Sequence, residues 1–364
     1  MSIPKPVLHQ WSRVHPRNAR SFGTGLINHT YLVDVDELPG LPDLPDLPDA
    51  FDEHPLQRNM VLQRLHPVFA ASVNHDIDAV TRHVQKKGMV TPRIVPTDGG
   101  ALYVIDDDEK PWRALTYVRG HSIDRVDSSA RAFAAGALVA RFHAAVADLS
   151  YSYQHVRPGV HDMQKHRGHL DRALREHGAH RLFEAVKTTA NDIFRAIPTL
   201  PDFSSLPVRH SHGDLKISNL LFDDVGNGVC LVDLDTVGQM IWPYEMGDAL
   251  RSWCNPKGED VSQTSVDENI FSQAVHGYFS MGTTVSDDEV AALVAGVAAI
   301  CMELSMRFLA DALFESYFGY NAKKFPARGE HNLLRAQGQW ALAQSVFGAR
   351  KKLEDIVLKA ARRM

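Results

Sequence analysis

An aspartate, a lysine and an asparagine share one short segment, HSHGDLKISNLLFDD, as Asp214, Lys216 and Asn219. Downstream, GVCLVDLD adds two carboxylates, Asp233 and Asp235. The run NLLFDDVGNGVCLVDLD reads as strand, a turn rich in Asp, Asn and Gly, then strand. Such a hairpin returns Asp233 to the neighbourhood of Asn219. One amide oxygen and at least one carboxylate then meet at a point. Hard oxygen ligands of this kind suit Mg²⁺, which is held through one or two carboxylates together with substrate phosphates. Asp214 is left to orient a hydroxyl nucleophile, and Lys216 can reach a transferring phosphoryl group. Alone, Asp-x-x-x-x-Asn is a common spacing, and Asp214 reads equally well as a cap of the following turn. The hairpin carrying Asp233 gives the spacing its meaning. Asp235, two residues further, would share a face with Asp233 on a continuing strand. It is a candidate for a second metal or for substrate, against a plain helix or loop cap.

Two kinds of element must position these groups. The first third of the chain reads as strands: LINHTYLVDV after the glycine-bearing turn SFGTG, then NMVLQRLH, then ALYVIDDD and PWRALTYV around an acidic turn. Between two of these strands, residues 38–55 repeat Leu-Pro-Asp. Proline fixes φ and lacks a donor, so this stretch reads as an exposed loop insertion. From about Ser128 the period becomes helical, as in SSARAFAAGALVARFHAAVADL and HRLFEAVKTTANDIFRAI. Strand character returns only around SNLLFDD and GVCLVDLD, and long helical patterns follow to the end. The expected fold is α+β and two-lobed: a β-rich N-terminal lobe over 1–119 and a large helical C-terminal lobe over 120–364.

Bulk properties narrow the function. The chain has 364 residues, 44% apolar and 23% charged, with a formal net charge of -5. That balance gives no basic footprint for nucleic acid. Cys230, Cys254 and Cys301 are too scattered for a disulfide framework or a metal site, which points to a reducing cytoplasm. MSIPKPVLHQWSRVHPR lacks the apolar core of a secretory signal. VAALVAGVAAICMEL is too short to span a bilayer and suits a packed core helix, so no membrane is expected. Oligomeric state is not readable from these features.

The loop HGDLKISNLLF resembles the His-Gly-Asp loop of the aminoglycoside phosphotransferase and choline kinase superfamily, which has a protein-kinase-like fold. LVDLD is similar to its metal-binding segment. GLINHTYLV, VLQRLHPVF, VDLDTVGQMIWPYEMGDALR, MELSMRFLADALFESYF and NLLRAQGQWALAQS together look most like the N-acetylhexosamine 1-kinase branch. The resemblance spans nearly the whole chain. It implies ATP and Mg²⁺, with Asp214 in the catalytic-base position, Asn219 and Asp233 on the metal, and Lys216 at the γ-phosphate. It implies that Gly23 and Gly25 bring backbone close to phosphates, and that Thr116 to Val118 form the hinge that pairs with adenine. His212 would steady the loop through its ring. Asp248 would cap a helix or brace the catalytic loop. The strand that usually carries the ATP-clamping lysine reads NMVLQRLH and has none. Arg64 stands in for that cation, with Asp76 or Asp78 as its acidic partner.

On the acceptor side, GVHDMQKHRGHLDRAL falls where the hexosamine kinases have a sugar-facing segment. His161, Asp162 and Arg167 suit sugar hydroxyls, against the alternative of a solvated helix face. Trp242 and Tyr244 suit stacking on a sugar ring, against buried packing. A cationic acceptor needs an acidic or aromatic pocket, and the sequence places no acidic cluster there. The expected activity is transfer of the γ-phosphoryl group to a hydroxyl of a sugar or amino sugar. The alternatives are choline, homoserine or aminoglycoside as acceptor, or a nucleotide-binding pseudokinase.

Overall fold

The computed structural model describes residues 3–23, 28–36, 58–156 and 159–362. Gly25 and the Leu-Pro-Asp insertion at 38–55 lie outside the described residues. The chain divides into two compact units. One comprises Met1–Gly120, Ala145–Val156 and Val229–Gly238; the other comprises His121–Ala144, Arg157–Gly228 and Gln239–Met364.

The first unit opens with a short helix, α1 (Lys5–His9), and the strands β1 (Arg17–Ser21), β2 (His29–Val35) and β3 (Arg58–Arg64). After α2 (Val73–Lys86) come β4 (Ile94–Val95), β5 (Val104–Ile105) and β6 (Pro111–Thr116). The strands pair in the order β1-β2-β3-β6-β4, with β5 on β6, and the pairings are antiparallel. Alternation along the strands sorts side chains to two faces. Tyr31, Val33 and Val35 of β2, Met60 and Leu62 of β3, and Trp112 and Ala114 of β6 share one face. They form an apolar core with Val7, Trp11 and Val14 from the N-terminal segment. The Trp11 indole N–H donates to the Val95 carbonyl at 2.9 Å, so even the polar edge of that ring is satisfied. The other face meets α2, whose Val73, Ile77, Val80 and Val84 are buried at helical spacing. Near the start of α2, Asp76 accepts from Tyr151 Oη, Gln154 N and His155 N, each at 2.8 Å. That carboxylate ties segment 145–156 to this unit.

The second unit is helical, built on α3 (Ser129–Val146), α4 (Met163–Glu176) and α5 (Phe183–Ala196). The short strands β7 (Val208–Ser211) and β8 (Leu220–Phe222) follow. The turn after β8 is closed by Asp223, whose carboxylate accepts from Val225 N, Asn227 N and Asn227 Nδ2. The expected hairpin turn is therefore formed, and β9 (Gly228–Leu231) begins beyond it. The chain then runs through β10 (Gly238–Ile241), α6 (Trp242–Trp253), α7 (Glu268–Phe279), α8 (Asp287–Phe314), α9 (Arg328–Gly348) and α10 (Arg350–Ala361).

Helix α8 is the axis of this unit. It is long and apolar enough to cross a bilayer by composition, yet 89% of its most apolar window is buried inside the protein. It starts with a capping box, Ser286 with Glu289. Arg209 of β7 grips the same glutamate with two hydrogen bonds, at 2.5 and 2.6 Å. Helix α6 crosses α8 at two glycines. A Cβ on Gly247 would lie 2.9 Å from the Gly296 carbonyl, and one on Gly296 would collide with the Pro243 backbone. This close seating matters because α6 holds the loop described next.

Candidate active site

In the second unit, β7 runs into the loop that carries Asp214, Lys216 and Asn219. Gly213 has φ +83°, a left-handed conformation that lets the chain turn sharply before Asp214. Helix α6 fixes the loop at several points. Glu245, 1% exposed, accepts from His212 N at 2.7 Å and Gly213 N at 3.0 Å. Ser252 Oγ accepts from Ile217 N at 3.1 Å, and the Trp253 indole donates to the Leu215 carbonyl at 2.8 Å. Of the two roles expected of Asp248, helix cap or loop brace, the second is filled by Glu245, one turn earlier. Asp248 lies inside α6 and binds Arg251 at 2.8 Å. His212 is fully buried, with its ring packed edge-on to Phe142.

The loop brings three of the expected groups together. Lys216 Nζ donates to Asp214 Oδ2 at 2.6 Å. Asn219 Nδ2 donates to the Asp214 carbonyl at 2.9 Å and to Asp214 Oδ2 at 3.1 Å. Burial would push the Asp214 carboxyl up, but Lys216, with His212 and Arg251, holds it below the ordinary carboxylate value. For Asp248, burial dominates; Arg251 opposes it, the neighbouring Asp214 charge adds to it, and the result is raised. The two carboxyls are thus shifted in opposite directions. The amide nitrogen of Asn219 is spent on Asp214, which leaves its carbonyl oxygen as the atom for a cation. That oxygen is a hard donor of the kind Mg²⁺ takes. Among the described residues, no group of three or more His, Cys, Asp and Glu is arranged to hold a metal unaided.

Asp233 and Asp235 belong to the first unit. Asp233 has φ 63° and ψ 54°, left-handed for a residue other than glycine. Such conformations cost about 1–3 kcal/mol and gather at functional sites. A single 3-10 turn, Leu234–Thr236, follows it. Asp235 is buried and fully engaged: Oδ1 pairs with Arg113, and Oδ2 accepts from Asn28 Nδ2 at 2.6 Å. Both oxygens expected for a metal are thus engaged by side chains.

Arg64 also needs correction. In the β3–β6 pairing, Gln63 lies opposite Arg113 and Arg64 opposite Trp112. Directly opposed residues share a face, so Arg64 sits on the apolar-core side, 3.9 Å from Asp106 and 3.9 Å from Asp108. Two cations are buried on the α2 side: Arg113, which reaches Asn74 of α2, and Arg93, which bonds Gln85 and pairs with Asp78 of the same helix. The carboxylates expected to pair with Arg64 are engaged elsewhere: Asp76 holds segment 151–155, and Asp78 pairs with Arg82 at 2.7 Å and Arg93 at 3.6 Å.

Of the other nucleotide-side residues, Gly23 has φ +78° with open space around it. Thr116 is buried at the end of β6. Its N–H donates to the Arg93 carbonyl at 2.8 Å, and its hydroxyl accepts from Arg93 N at 2.9 Å. The sheet thus already uses both groups. Val118 is buried, and between them Tyr117 packs edge-on to Phe22 at 6.0 Å.

The acceptor candidates separate into two kinds. Trp242 is 2% exposed, and its indole donates to Tyr278 Oη at 2.7 Å; it is core. Asp162 caps α4, accepting from Lys165 N at 3.0 Å. Arg167 lies over the Phe194 ring at 4.8 Å. His161, by contrast, joins a polar and aromatic cluster. Its Nδ1 is 3.1 Å from Glu303 of α8, and His166 and Arg307 reach the same carboxylate at 3.6 and 3.8 Å. The Tyr244 ring lies 5.7 Å from that of His161 and 5.1 Å from that of Phe203. Burial alone would lower His161, but Glu303 outweighs it and the imidazole is raised, with Asp248 adding to the effect. Burial, with Glu303 and Asp162, pushes the Tyr244 phenol up to about 12. Glu303 and Phe203 were not foreseen. Glu303 sits in an apolar helical run whose only sign was a charge where packing alone wants none.

A model of the phosphotransferase enzyme family (APH) matches residues 19–276. An aminoglycoside phosphotransferase from Alicyclobacillus acidocaldarius aligns over 98% of this chain and 97% of its own, at 15% identity and TM-score 0.61. The microcompartment-associated aminopropanol kinase aligns over 94% and 96%, at 15% identity and TM-score 0.59. The amicoumacin kinase hAmiN, solved with AMP-PNP, Ca²⁺ and Ami, aligns over 93% and 88%, at 12% identity and TM-score 0.59. Likeness at such identities establishes the fold, which is kinase-like.

Proposed function

The chain belongs to the phosphotransferase enzyme family, and from that premise we propose that it moves the γ-phosphoryl group of ATP to a hydroxyl of a sugar or amino sugar. The observation that carries this reading is the Asp214–Lys216–Asn219 constellation, an ionised carboxylate held beside a lysine on a loop that α6 braces.

In this reading the acceptor hydroxyl donates to Asp214. Its oxygen attacks the γ-phosphorus, the bond to the β,γ-bridging oxygen breaks, and ADP leaves. The proton passes to Asp214 late, because the transition state is loose. Lys216 starts on Asp214 and is shared with the phosphoryl oxygens as negative charge gathers there. Asn219 of the second unit and Asp233 of the first each carry an oxygen of the kind that would hold Mg²⁺, which supplies charge neutralisation on the phosphates when bound. The 1.36 kcal/mol that each tenfold in rate requires is met here chiefly by positioning and charge, since little covalent chemistry falls to the protein.

The acceptor would lie against Tyr244, Phe203 and His161, with Glu303 and Asp248 nearby. Aromatic faces and a His–Glu pair suit a hydroxylated ring. Within the family we place the chain nearest the N-acetylhexosamine 1-kinases, on the likeness of its sequence segments. Small amino alcohols form the second reading: Glu303 supplies the buried carboxylate that the sequence did not place, and an aminopropanol kinase and a Plasmodium vivax ethanolamine kinase are among the structural neighbours. Three buried free cysteines support a reducing, cytoplasmic setting.

ADP release with ATP and Mg²⁺ tests the proposal across N-acetylhexosamines, glucosamine, aminopropanol, ethanolamine, choline, homoserine and an aminoglycoside. Turnover with a hexosamine well above the amino alcohols is the expected result. Turnover confined to an amino alcohol would refute the sugar reading and leave the phosphotransfer standing.

A further inference from the structure

The strand that should carry a clamping lysine has none, yet a cation is buried in the same layer. Arg113 of β6 is 1% exposed. Its Nε and Nη2 donate to Gln63 Oε1 at 2.9 and 2.6 Å. Its Nη1 reaches Asn74 of α2 at 3.5 Å and pairs with Asp235. Gln63 passes its amide N–H to Thr30 Oγ1 at 3.1 Å. Asn28 holds the far oxygen of Asp235 and accepts from His66 N at 2.9 Å. On β3 and α2, the positions facing this cation are thus a neutral Gln63 and a neutral Asn74. Among the described residues, the carboxylate that pairs with Arg113 is Asp235, on the segment just past Asp233.

We propose that Arg113 is a positioning residue for the metal segment. Through Asp235 it locks the Leu234–Thr236 turn to the sheet, and the locked turn keeps Asp233 left-handed. Two physical points carry this. A buried carboxylate without its cation is strongly unfavourable, so Asp235 has no comparable place to go while Arg113 stays. A left-handed aspartate needs surroundings that over-determine it, and Asp235, two residues on, ties the following turn to the sheet through Arg113. The cation comes from the strand beside the expected one, because the antiparallel register puts Arg113, and not Arg64, on the α2 face. The inference rests on the reading of Asp233 as a metal residue.

The test is calorimetric binding of Mn²⁺ with a non-hydrolysable ATP analogue, alongside urea unfolding, for the wild type and for Arg113→Met, Arg113→Lys and Asp233→Ala. Arg113→Lys keeps a charge for Asp235 but lacks the fork that also reaches Gln63 and Asn74. It should fold and bind the metal nucleotide several-fold more weakly, while the acceptor KM stays unchanged. Arg113→Met should weaken binding by at least tenfold wherever its urea curve shows it folded. Wild-type affinity in Arg113→Lys, or losses in both variants that only follow the unfolded fraction, would overturn the assignment. Intact Mn²⁺ binding in Asp233→Ala would instead sink the placing of the metal on Asp233, a separate failure of the functional reading.

Discussion

Lys216 Nζ lies 2.6 Å from Asp214 Oδ2, so the loop's one lysine and its key carboxylate neutralise each other before any substrate arrives. The pair is partly open, with the Asp214 side chain 27% and the Lys216 side chain 38% exposed. Lys216 is also the leading influence holding the Asp214 carboxyl down against burial. One lysine therefore does two jobs, keeping Asp214 ionised and offering charge to the phosphoryl group.

Those jobs separate in pH. Lys216→Met removes the cation, so the Asp214 carboxyl moves up. Because Asp214 acts ionised, the acid limb of kcat against pH should shift to higher pH. The loss that persists on the alkaline plateau reports the second job. A limb that stays in place in the variant would mean that Lys216 does not govern Asp214.

Glu245 is the buried brace, and its removal strands the His212 and Gly213 amides and leaves His143 without its acid. Glu245→Ala should cost about 3–5 kcal/mol of stability, read from urea unfolding. Glu245→Gln keeps one acceptor and should cost less. Equal stability of Glu245→Ala and wild type would show that α6 does not hold the loop.

Arg64 faces the apolar core side, and its contacts with Asp106 and Asp108 are long. Arg64→Ala should leave the KM for ATP unchanged. A raised KM for ATP would restore Arg64 to the nucleotide.

His161 is raised by Glu303 against the pull of burial. A raised folded value means that the pair's stabilisation is full below the unfolded value of about 6.5 and is lost as pH climbs through the folded value. Urea midpoints of wild type and His161→Gln should differ most near pH 6 and converge in alkali. A gap that widens with pH would reverse the assignment.

These residues also show where sequence reading succeeds and stops. The loop HGDLKISN is local: its spacing alone brings Asp214, Lys216 and Asn219 together, as the structure finds. The change from strand to helix period near Ser128 is local too. Register is not. Whether Arg64 or Gln63 faces α2 depends on how β3 pairs with β6, and a shift of one residue exchanges the faces. Trp242 and Asp162 show another limit. Each has the right chemistry for sugar, but a helix start claimed Asp162 as its cap and a Tyr278 hydroxyl claimed the indole. Glu303 is the converse, a functional candidate hidden in a core helix because its partners come from distant segments.

The most direct measurement is single-turnover phosphoryl transfer by Asp214→Asn on the best acceptor, with ATP affinity determined on the same protein. The side chain keeps its shape and loses its charge. Transfer should fall by about two orders of magnitude or more, with ATP affinity close to wild type. A variant that transfers the phosphoryl group at most of the wild-type rate would contradict the account, because the hydroxyl would then be oriented by some other group.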